Sequence, residues 1–297
     1  MRKPDPAAIP KPAFDLYDKY AHGLIDRRQF MTGLARVAVG GVTASALFAA
    51  LRPDYALAQQ VSFTDPDILA SYREFDSPEG HGKGRGYLVQ PRNPSSPPGL
   101  VLVVHENRGL NPYIEDVARR LAKAGFIAFA PDALFPLGGY PGNDDDGRTL
   151  QQQLDGDKIA ADFAAAARFL QPLDGGNGKL GVVGFCFGGF IANKLAAELP
   201  ERVGAAVPFY GMPPALDKVA DIKAALLIQM AEDDERINVA WPDYEAALQR
   251  HGVSYQAYQY PGTQHGFHND STPRYHPEAA ELAWSRTLAF FNEHLAG

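Results

Sequence analysis

The sequence predicts an α/β fold in which a mostly parallel sheet is covered by helices on both faces. From Gly86 onward, short apolar runs alternate with longer segments of helical period, which is typical of repeated βαβ units. Several of the short runs are apolar throughout, as in strands that are buried on both faces. A chain of 297 residues accommodates one large domain of this kind together with an appendage.

The expected strands and helices alternate along the chain. The strands fall at 86–90, 100–105, 126–130, 180–184, 205–210, 225–230 and 255–260. The first helix has apolar residues at 114, 117, 118 and 121, and it lies between Asn111 as the N-cap and Gly125 after the last turn. Further helices are expected at 150–170, 187–199, 239–250 and 278–294, so one domain accounts for residues 59–297.

Composition excludes several classes of protein. Hydrophobic residues make up 45% of the chain and charged residues 21%, which is too little charge for a disordered protein. With a net charge of -7, the surface has the wrong sign to hold nucleic acid or an anionic bilayer by charge alone. Cys186 is the only cysteine, so neither an intramolecular disulfide nor a cysteine-rich zinc module is expected.

Residues 1–58 have the features of an export signal rather than of the domain. Arg27 and Arg28, which resemble the twin-arginine type of signal, precede an uncharged stretch at 37–51 and an Ala-Leu-Ala cleavage site at 56–58. The uncharged stretch is shorter than the roughly 20 residues that a spanning helix needs, so no stable membrane anchor is expected. We therefore predict export by the twin-arginine machinery, cleavage after residue 58, and a periplasmic or secreted domain of residues 59–297.

The segment Gly184-Phe185-Cys186-Phe187-Gly188-Gly189 lies where an apolar strand gives way to a helix. Its glycine-x-nucleophile-x-glycine spacing is that of a nucleophile elbow, in which the glycines let the strand and the helix approach each other. The dipole of the following helix favours a thiolate. Cys186 is therefore the predicted nucleophile and the Phe187 N–H a predicted oxyanion donor, the alternative being a buried structural cysteine.

A nucleophilic thiol needs a base, and in this architecture the acid and the histidine follow the nucleophile along the chain. His265 comes just after the last expected strand, and His268 is its competitor. Asp233 and Asp234 both follow the preceding strand. Asp234 is favoured because the apolar Ile237 stands three positions after it.

The loop after the strand at 100–105 carries Glu106 and Asn107. A loop at this place supplies the second oxyanion donor, and the Asn107 N–H is the candidate. Because a carboxylate near the thiol disfavours a thiolate, Glu106 is predicted to tune the ionisation of Cys186. The alternative is a salt bridge with Arg108.

No metal or cofactor site is predicted. The acidic run at 143–147 resembles a calcium loop, but Gly142 and Gln153 occupy its first and twelfth ligand positions. His265 and His268 have no third ligand at metal-site spacing. The sequence also has no glycine-rich phosphate or dinucleotide motif.

Taken together, these residues resemble the dienelactone hydrolase family, the cysteine-using branch of the α/β-hydrolases. The resemblance covers about residues 86–295 and rests on Val103-Val104-His105-Glu106, Gly125-Phe126-Ile127-Ala128-Phe129-Ala130-Pro131-Asp132, the glycine-framed Cys186 segment, Asp234, and His265-Gly266-Phe267. It implies an α/β-hydrolase fold, a triad of Cys186, Asp234 and His265, contact of Glu106 with the resting thiol, and backbone donors at Asn107 and Phe187.

The sequence departs from the family at two substrate-binding places. Relatives that open dienelactone carry one arginine soon after the segment ending at Asp132 and another four residues after the catalytic histidine. Here those places hold Phe135-Pro136 and Asn269. The resemblance therefore implies a carboxymethylenebutenolidase-like hydrolase of lactones or small esters, with dienelactone itself in doubt unless Arg108 or Arg148 replaces this arginine clasp.

Two functions are compatible with these observations. The first is an exported thiol hydrolase of lactones or small esters, which forms a thioacyl-enzyme and needs no cofactor. The second is a non-catalytic relative that binds a small ligand or senses oxidants through its single thiol. The complete set of nucleophile, acid and histidine favours the first.

Overall fold

The computed structural model describes residues 9–38, 42–55 and 59–297. Within these residues, eight strands form one sheet in the order β1-β2-β4-β3-β5-β6-β7-β8. The strands are β1 (Ile68–Ser77), β2 (Gly82–Pro91), β3 (Leu100–Val104), β4 (Ile127–Pro131), β5 (Leu180–Phe185), β6 (Val203–Phe209), β7 (Ala225–Asp233) and β8 (Tyr255–Gln264). The two pairs that involve β2 are antiparallel, and all other pairs are parallel. The expected α/β fold is confirmed.

Helices precede the sheet and connect its strands. They are α1 (Lys11–Ala21), α2 (Arg27–Val37), α3 (Ala44–Leu51), α4 (Pro112–Lys123), α5 (Asp144–Gln151), α6 (Gly156–Leu170), α7 (Phe187–Glu198), α8 (Glu235–Asn238), α9 (Trp241–His251) and α10 (Pro277–Leu295). Short 3-10 turns lie at Phe135–Leu137 and Leu216–Asp221.

The central strands are apolar because helices cover both faces of the sheet. Every residue of β3 and β5 is buried. Side chains of α6, α7 and α9 pack in the core on one face, and those of α4 and α10 pack in the core on the other. Because the central strands are parallel, the loops at their carboxyl ends meet at one edge of the sheet, where this class of fold places its ligands.

Three elements of the domain differ from the sequence prediction, which includes neither β1 nor the separate helix α5 and starts α6 too early. The sequence analysis does not predict β1, because only three of its ten residues are buried and it carries no apolar run. Pairing with β2 over its whole length holds it in the sheet. The helix expected at 150–170 begins instead at Gly156, because the extended Asp155 caps it by accepting hydrogen bonds from two amides of the first turn.

Residues 9–38 and 42–55, named here the N-terminal layer, pack against the α/β domain. Helices α1, α2 and α3 share buried apolar side chains that include Tyr17, Phe30 and Leu47. Asp26 begins α2 with a reciprocal capping box. The sequence analysis leaves residues 1–58 outside the fold, whereas the described part of them forms an ordered helical unit.

Hydrogen bonds join the N-terminal layer to loops of the domain. The Asn107 side chain donates to the Ala21 carbonyl at 2.6 Å, and Arg148 donates to the Tyr20 carbonyl at 2.8 Å. The predicted cleavage site at 56–58 lies outside the described residues. No helix in the described ranges is both long enough and apolar enough to cross a membrane.

Candidate active site

Cys186 lies at a sharp turn between β5 and α7. Its backbone has φ 57° and ψ -113°, a strained conformation for a residue other than glycine. A Cβ atom at Gly184 would lie 1.9 Å from the Gly188 carbonyl oxygen, and one at Gly188 would lie 2.2 Å from the Val104 carbonyl oxygen. The glycines are therefore required for the strand and the helix to meet, as the elbow motif predicts.

Two neighbouring strand ends bring a carboxylate and an imidazole together. Asp234 follows β7 and His265 follows β8, and His265 Nδ1 lies 2.6 Å from Asp234 Oδ2 with both side chains buried. The other ring nitrogen, Nε2 of His265, is buried and makes no hydrogen bond among the described residues. This arrangement fixes the orientation of the ring and leaves Nε2 for proton exchange.

The competing residues have other partners. His268 Nδ1 is bonded to the Tyr113 hydroxyl at 2.7 Å, and its ring stacks on Phe185. Burial holds the pKa of His268 well below its usual value, so it is a neutral core residue. Asp233 is partly exposed and pairs with Lys11 Nζ at 2.7 Å. The geometry therefore favours His265 over His268 and Asp234 over Asp233.

The thiol makes a contact that the sequence analysis does not predict. His22, the residue directly after α1, places its Nε2 3.2 Å from Cys186 Sγ. Its Nδ1 lies 2.8 Å from the Asp18 carbonyl oxygen and 3.3 Å from the Asp18 carboxylate. The sequence gives no local signal for this role, since a histidine before Gly23 is typical of an ordinary helix end.

Sulfur and two imidazoles thus form one buried cluster. The ligating atoms of His22, Cys186 and His265 all lie within 4.8 Å of one another, which makes this set capable of holding a metal ion. Burial opposes ionisation of the thiol, but the positive charges of His265 and His22 prevail and hold the pKa of Cys186 well below its usual value. The cluster favours a thiolate.

The two histidines gain basicity from the same interaction. Burial alone lowers the pKa of His265, but the charges of Asp234 and Cys186 raise it to about 10. Burial likewise opposes the His22 cation, and the charge of Cys186 and the hydrogen bond to Asp18 raise the pKa of His22 above its usual value. These shifts favour a thiolate at Cys186 that is stabilised by the neighbouring imidazoles.

Glu106 and Asn107 lie beside this cluster. Glu106 Oε2 accepts a hydrogen bond from the Asn269 side chain at 3.0 Å, and Glu106 is buried. Burial raises the pKa of Glu106, the Arg108 cation opposes the rise, and the Cys186 thiolate adds to it. The Asn107 side chain donates to the Ala21 carbonyl of the N-terminal layer, and its backbone N–H is the candidate oxyanion donor. Phe187 begins α7, and its N–H has no acceptor within the helix.

A cavity of about 440 Å³ lies between the N-terminal layer and the domain. Its wall includes Phe14, Asp18 and Leu24 on one side and Asp234, Arg236 and His265 on the other. It reaches the imidazole of the Asp234–His265 pair, but Cys186, which His22 contacts, is not among the residues that line it. The cavity is therefore adjacent to the candidate site rather than centred on the thiol.

The arginines considered as substitutes for the missing clasp are engaged elsewhere. Arg108 Nη1 lies 2.7 Å from Asp144 Oδ2, and Arg148 bonds the Tyr20 carbonyl. Two other arginines line the cavity, and the sequence did not point to them. Arg236 Nη2 lies 2.9 Å from His22 Nε2, and Arg274 Nη1 lies 3.5 Å from Asp18.

Comparisons with known proteins agree with this fold. The family model described as "Dienelactone hydrolase family" matches residues 85–295, and a model described as "YqhI-like" matches residues 1–40. "Protein usf" of Aquifex pyrophilus is 36% identical over 223 residues, covering 72% of this chain and 94% of that protein. The "Putative carboxymethylenebutenolidase" of Aquifex aeolicus is 34% identical over 228 residues, covering 72% of this chain and 94% of that protein.

A solved structure shows the same architecture. The crystal structure titled "Putative Dienelactone Hydrolase" from Klebsiella pneumoniae has a TM-score of 0.66 and 29% identity, covering 76% of this chain and 99% of that one. The family model matches most of the chain, and two relatives that cover 72% of the chain are 34–36% identical to it. The chain belongs to the dienelactone hydrolase family and is a hydrolase of the α/β-hydrolase fold.

Proposed function

We propose that the enzyme hydrolyses a lactone or small carboxylic ester through Cys186, His265 and Asp234. The main observation in support is that Cys186 lies in a strained elbow beside His265, whose Nδ1 is 2.6 Å from Asp234 Oδ2. A relative named for carboxymethylenebutenolidase activity supports the substrate class. A lone buried thiol without an oriented imidazole would support only binding or redox sensing.

In the first half of the proposed reaction, Cys186 is acylated. The Cys186 thiolate attacks the carbonyl carbon, forming the S–C bond while the carbonyl electron pair moves to oxygen. The N–H groups of Asn107 and Phe187 hold that oxyanion. When this tetrahedral intermediate collapses, the C–O bond breaks and the leaving oxygen takes the proton of His265. In a lactone, breaking this bond opens the ring.

Water completes the cycle. Neutral His265 removes a proton from water, and the resulting hydroxide attacks the thioester. Collapse of the second tetrahedral intermediate breaks the S–C bond and releases the acid and the thiolate. Asp234 holds the ring in the tautomer that both steps require.

Neutral substrates fit the site better than carboxylated ones. Asn269, at one of the two places where an arginine would clasp a substrate carboxylate, instead donates to Glu106. Arg236 and Arg274 lie near the cavity, but both pair with Asp18. Their charge is thus partly offset before any substrate enters.

The neighbouring aspartates provide a matched test. Turnover of neutral lactones and p-nitrophenyl esters is measured for Asp234→Asn and Asp233→Asn. Loss of a triad carboxylate costs on the order of a thousandfold or more in kcat, because the histidine adopts the wrong tautomer. Asp234→Asn is expected to show this loss, whereas Asp233→Asn, which removes an exposed ion pair, keeps its activity. Equal activities of the two variants would contradict the proposed triad.

We also propose that the precursor is exported by the twin-arginine route. Arg27 and Arg28 support this proposal because both begin α2 and both side chains are exposed, so that a receptor can reach them.

A further inference from the structure

We infer that His22, supplied by the N-terminal layer, is a second catalytic histidine that donates its Nε2–H to the sulfur of Cys186. The inference rests on the proposed function, because it assumes that Cys186 is the nucleophile. It goes beyond the triad, since His22 lies outside the segment that matches the dienelactone hydrolase family model.

Contact with the reacting atom is the first observation. His22 Nε2 lies 3.2 Å from Cys186 Sγ, within hydrogen-bond range for sulfur, and His265 interacts with the same sulfur from its other side. The two imidazoles meet edge to face with their centroids 5.0 Å apart. The thiol is thus flanked by two histidines from opposite ends of the chain.

Orientation of the ring is the second observation. The Asp18 carbonyl is an acceptor only, so its 2.8 Å contact with Nδ1 places a proton on that nitrogen. The Asp18 carboxylate lies 3.3 Å from the same nitrogen. Asp18 therefore fixes His22 as Asp234 fixes His265, with a carboxylate that stabilises the cation.

Hydrogen bonds that attach the N-terminal layer to the domain hold Asp18 and His22 in place. Asn107, which carries a proposed oxyanion donor, bonds the Ala21 carbonyl directly before His22. Arg148 bonds the next carbonyl upstream, that of Tyr20. A segment that only blocked the site could do so with any bulky side chain. It would not need an imidazole whose orientation is fixed by hydrogen bonds.

Arg236 defines the neutral state of His22. Its Nη2 lies 2.9 Å from His22 Nε2, and a guanidinium donates only, so this contact belongs to a neutral ring. The two contacts of Nε2 therefore exclude each other in one protonation state. In the inferred catalytic state Nε2 is protonated and donates to Sγ, and Arg236 retains its ion pair with Asp18. The charged or titratable groups around His22 are Asp18 on α1, Cys186 at the elbow, His265 after β8 and Arg236 on α8, with Arg274 against Asp18.

His22 is expected to act in the step in which the Cys186 thiolate leaves the acyl group. A thiolate that is stabilised by a hydrogen bond is a better leaving group, and it leaves when the second tetrahedral intermediate breaks its S–C bond. The electron pair of that bond returns to sulfur, where the Nε2–H of His22 meets it. His22 keeps its proton throughout the cycle, and His265 carries the protons that move. His22 therefore speeds deacylation more than acylation.

The test uses the full chain with His22→Ala and His22→Gln. Because Cys186 is the only cysteine, ultraviolet thiolate absorbance and iodoacetamide alkylation against pH report this one thiol. We expect about ten- to a hundredfold less thiolate at neutral pH in both variants, because each of them loses one charge-assisted hydrogen bond to the sulfur. With a p-nitrophenyl ester, at a pH high enough to ionise the thiol of the variant, we expect a burst of nitrophenol followed by slow turnover, because acylation is then restored and the acyl-enzyme accumulates.

A matched control weakens the same helices without touching the cluster. Asp26→Ala removes the cap of α2 and is expected to lower the stability of the N-terminal layer while leaving the thiolate titration unchanged. An unchanged titration and no burst in His22→Ala would overturn the inference. Faster turnover in His22→Ala would also overturn it, by showing that the layer is a plug. Activity in Cys186→Ala would instead overturn the proposed function itself.

Discussion

The side-chain amide of Asn269 donates to Glu106 Oε2 at 3.0 Å, which ties the residue four positions after His265 to the loop that carries Asn107. Glu106 thus has an uncharged partner, and the Cys186 thiolate contributes to raising the pKa of Glu106. By the same interaction an ionised Glu106 opposes the thiolate that the two imidazoles favour.

Glu106→Gln removes that opposing charge and keeps a group of the same shape for Asn269. We expect faster alkylation of Cys186 by iodoacetamide near neutral pH, because a nearby negative charge no longer disfavours the thiolate. Alkylation rates against pH for the two proteins decide the matter. Superimposable profiles would show that Glu106 does not tune the thiol.

Substrate choice follows from the missing arginine clasp. A substrate carboxylate without an opposing cation lacks a charge-assisted hydrogen bond of roughly 1.5–3 kcal/mol, about ten- to a hundredfold in specificity. A neutral lactone is therefore expected to be hydrolysed at least as well as its carboxylated counterpart, measured as kcat/KM on matched substrates. A strong preference for the carboxylated lactone would contradict this expectation and would indicate that Arg236 or Arg274 binds the substrate carboxylate.

The pH dependence of stability follows from the His265–Asp234 pair. Asp234 contributes to raising the pKa of His265 from 6.5 to about 10. A raised folded-state pKa means that the resulting stabilisation is complete below pH 6.5 and is lost as the pH rises toward about 10. Urea unfolding is expected to give a higher free energy of unfolding for the enzyme than for Asp234→Asn at neutral pH, and this difference is expected to narrow toward pH 10. A difference that is constant over this range would contradict the ion pair.

Export is tested by replacing Arg27 and Arg28 with lysine. The double variant is expected to stay in the cytoplasm, because the twin-arginine route reads the pair as an address. The fraction of protein in the periplasm is the measurement, and an undiminished periplasmic yield would exclude this route.

The mass of the exported protein tests cleavage separately. Cleavage after residue 58 would remove His22 and with it the 3.2 Å contact to Cys186. If His22 acts as inferred, full activity belongs to chains that retain residues 9–38. A fully active exported chain that begins at Gln59 would contradict the role of His22.

The sequence predicts the parts of the site that carry local signals. The glycines around Cys186 mark the elbow because any side chain there would meet backbone, and Asp234 and His265 follow apolar runs that form β7 and β8. His22 has no such signal. Its partner is 164 positions away, and the uncharged stretch after Arg28 predicts an export signal whether or not the segment packs. Likewise β1, with few buried residues, owes its place to pairing with β2.

The most direct test of the proposed mechanism is mass spectrometry of the enzyme quenched during turnover of a p-nitrophenyl ester. The acyl group is expected on the peptide that contains Cys186, and Cys186→Ala is expected to be folded, unacylated and inactive, because the attacking sulfur is gone. Turnover by Cys186→Ala, or acylation at another residue, would contradict the assignment of Cys186 as the nucleophile.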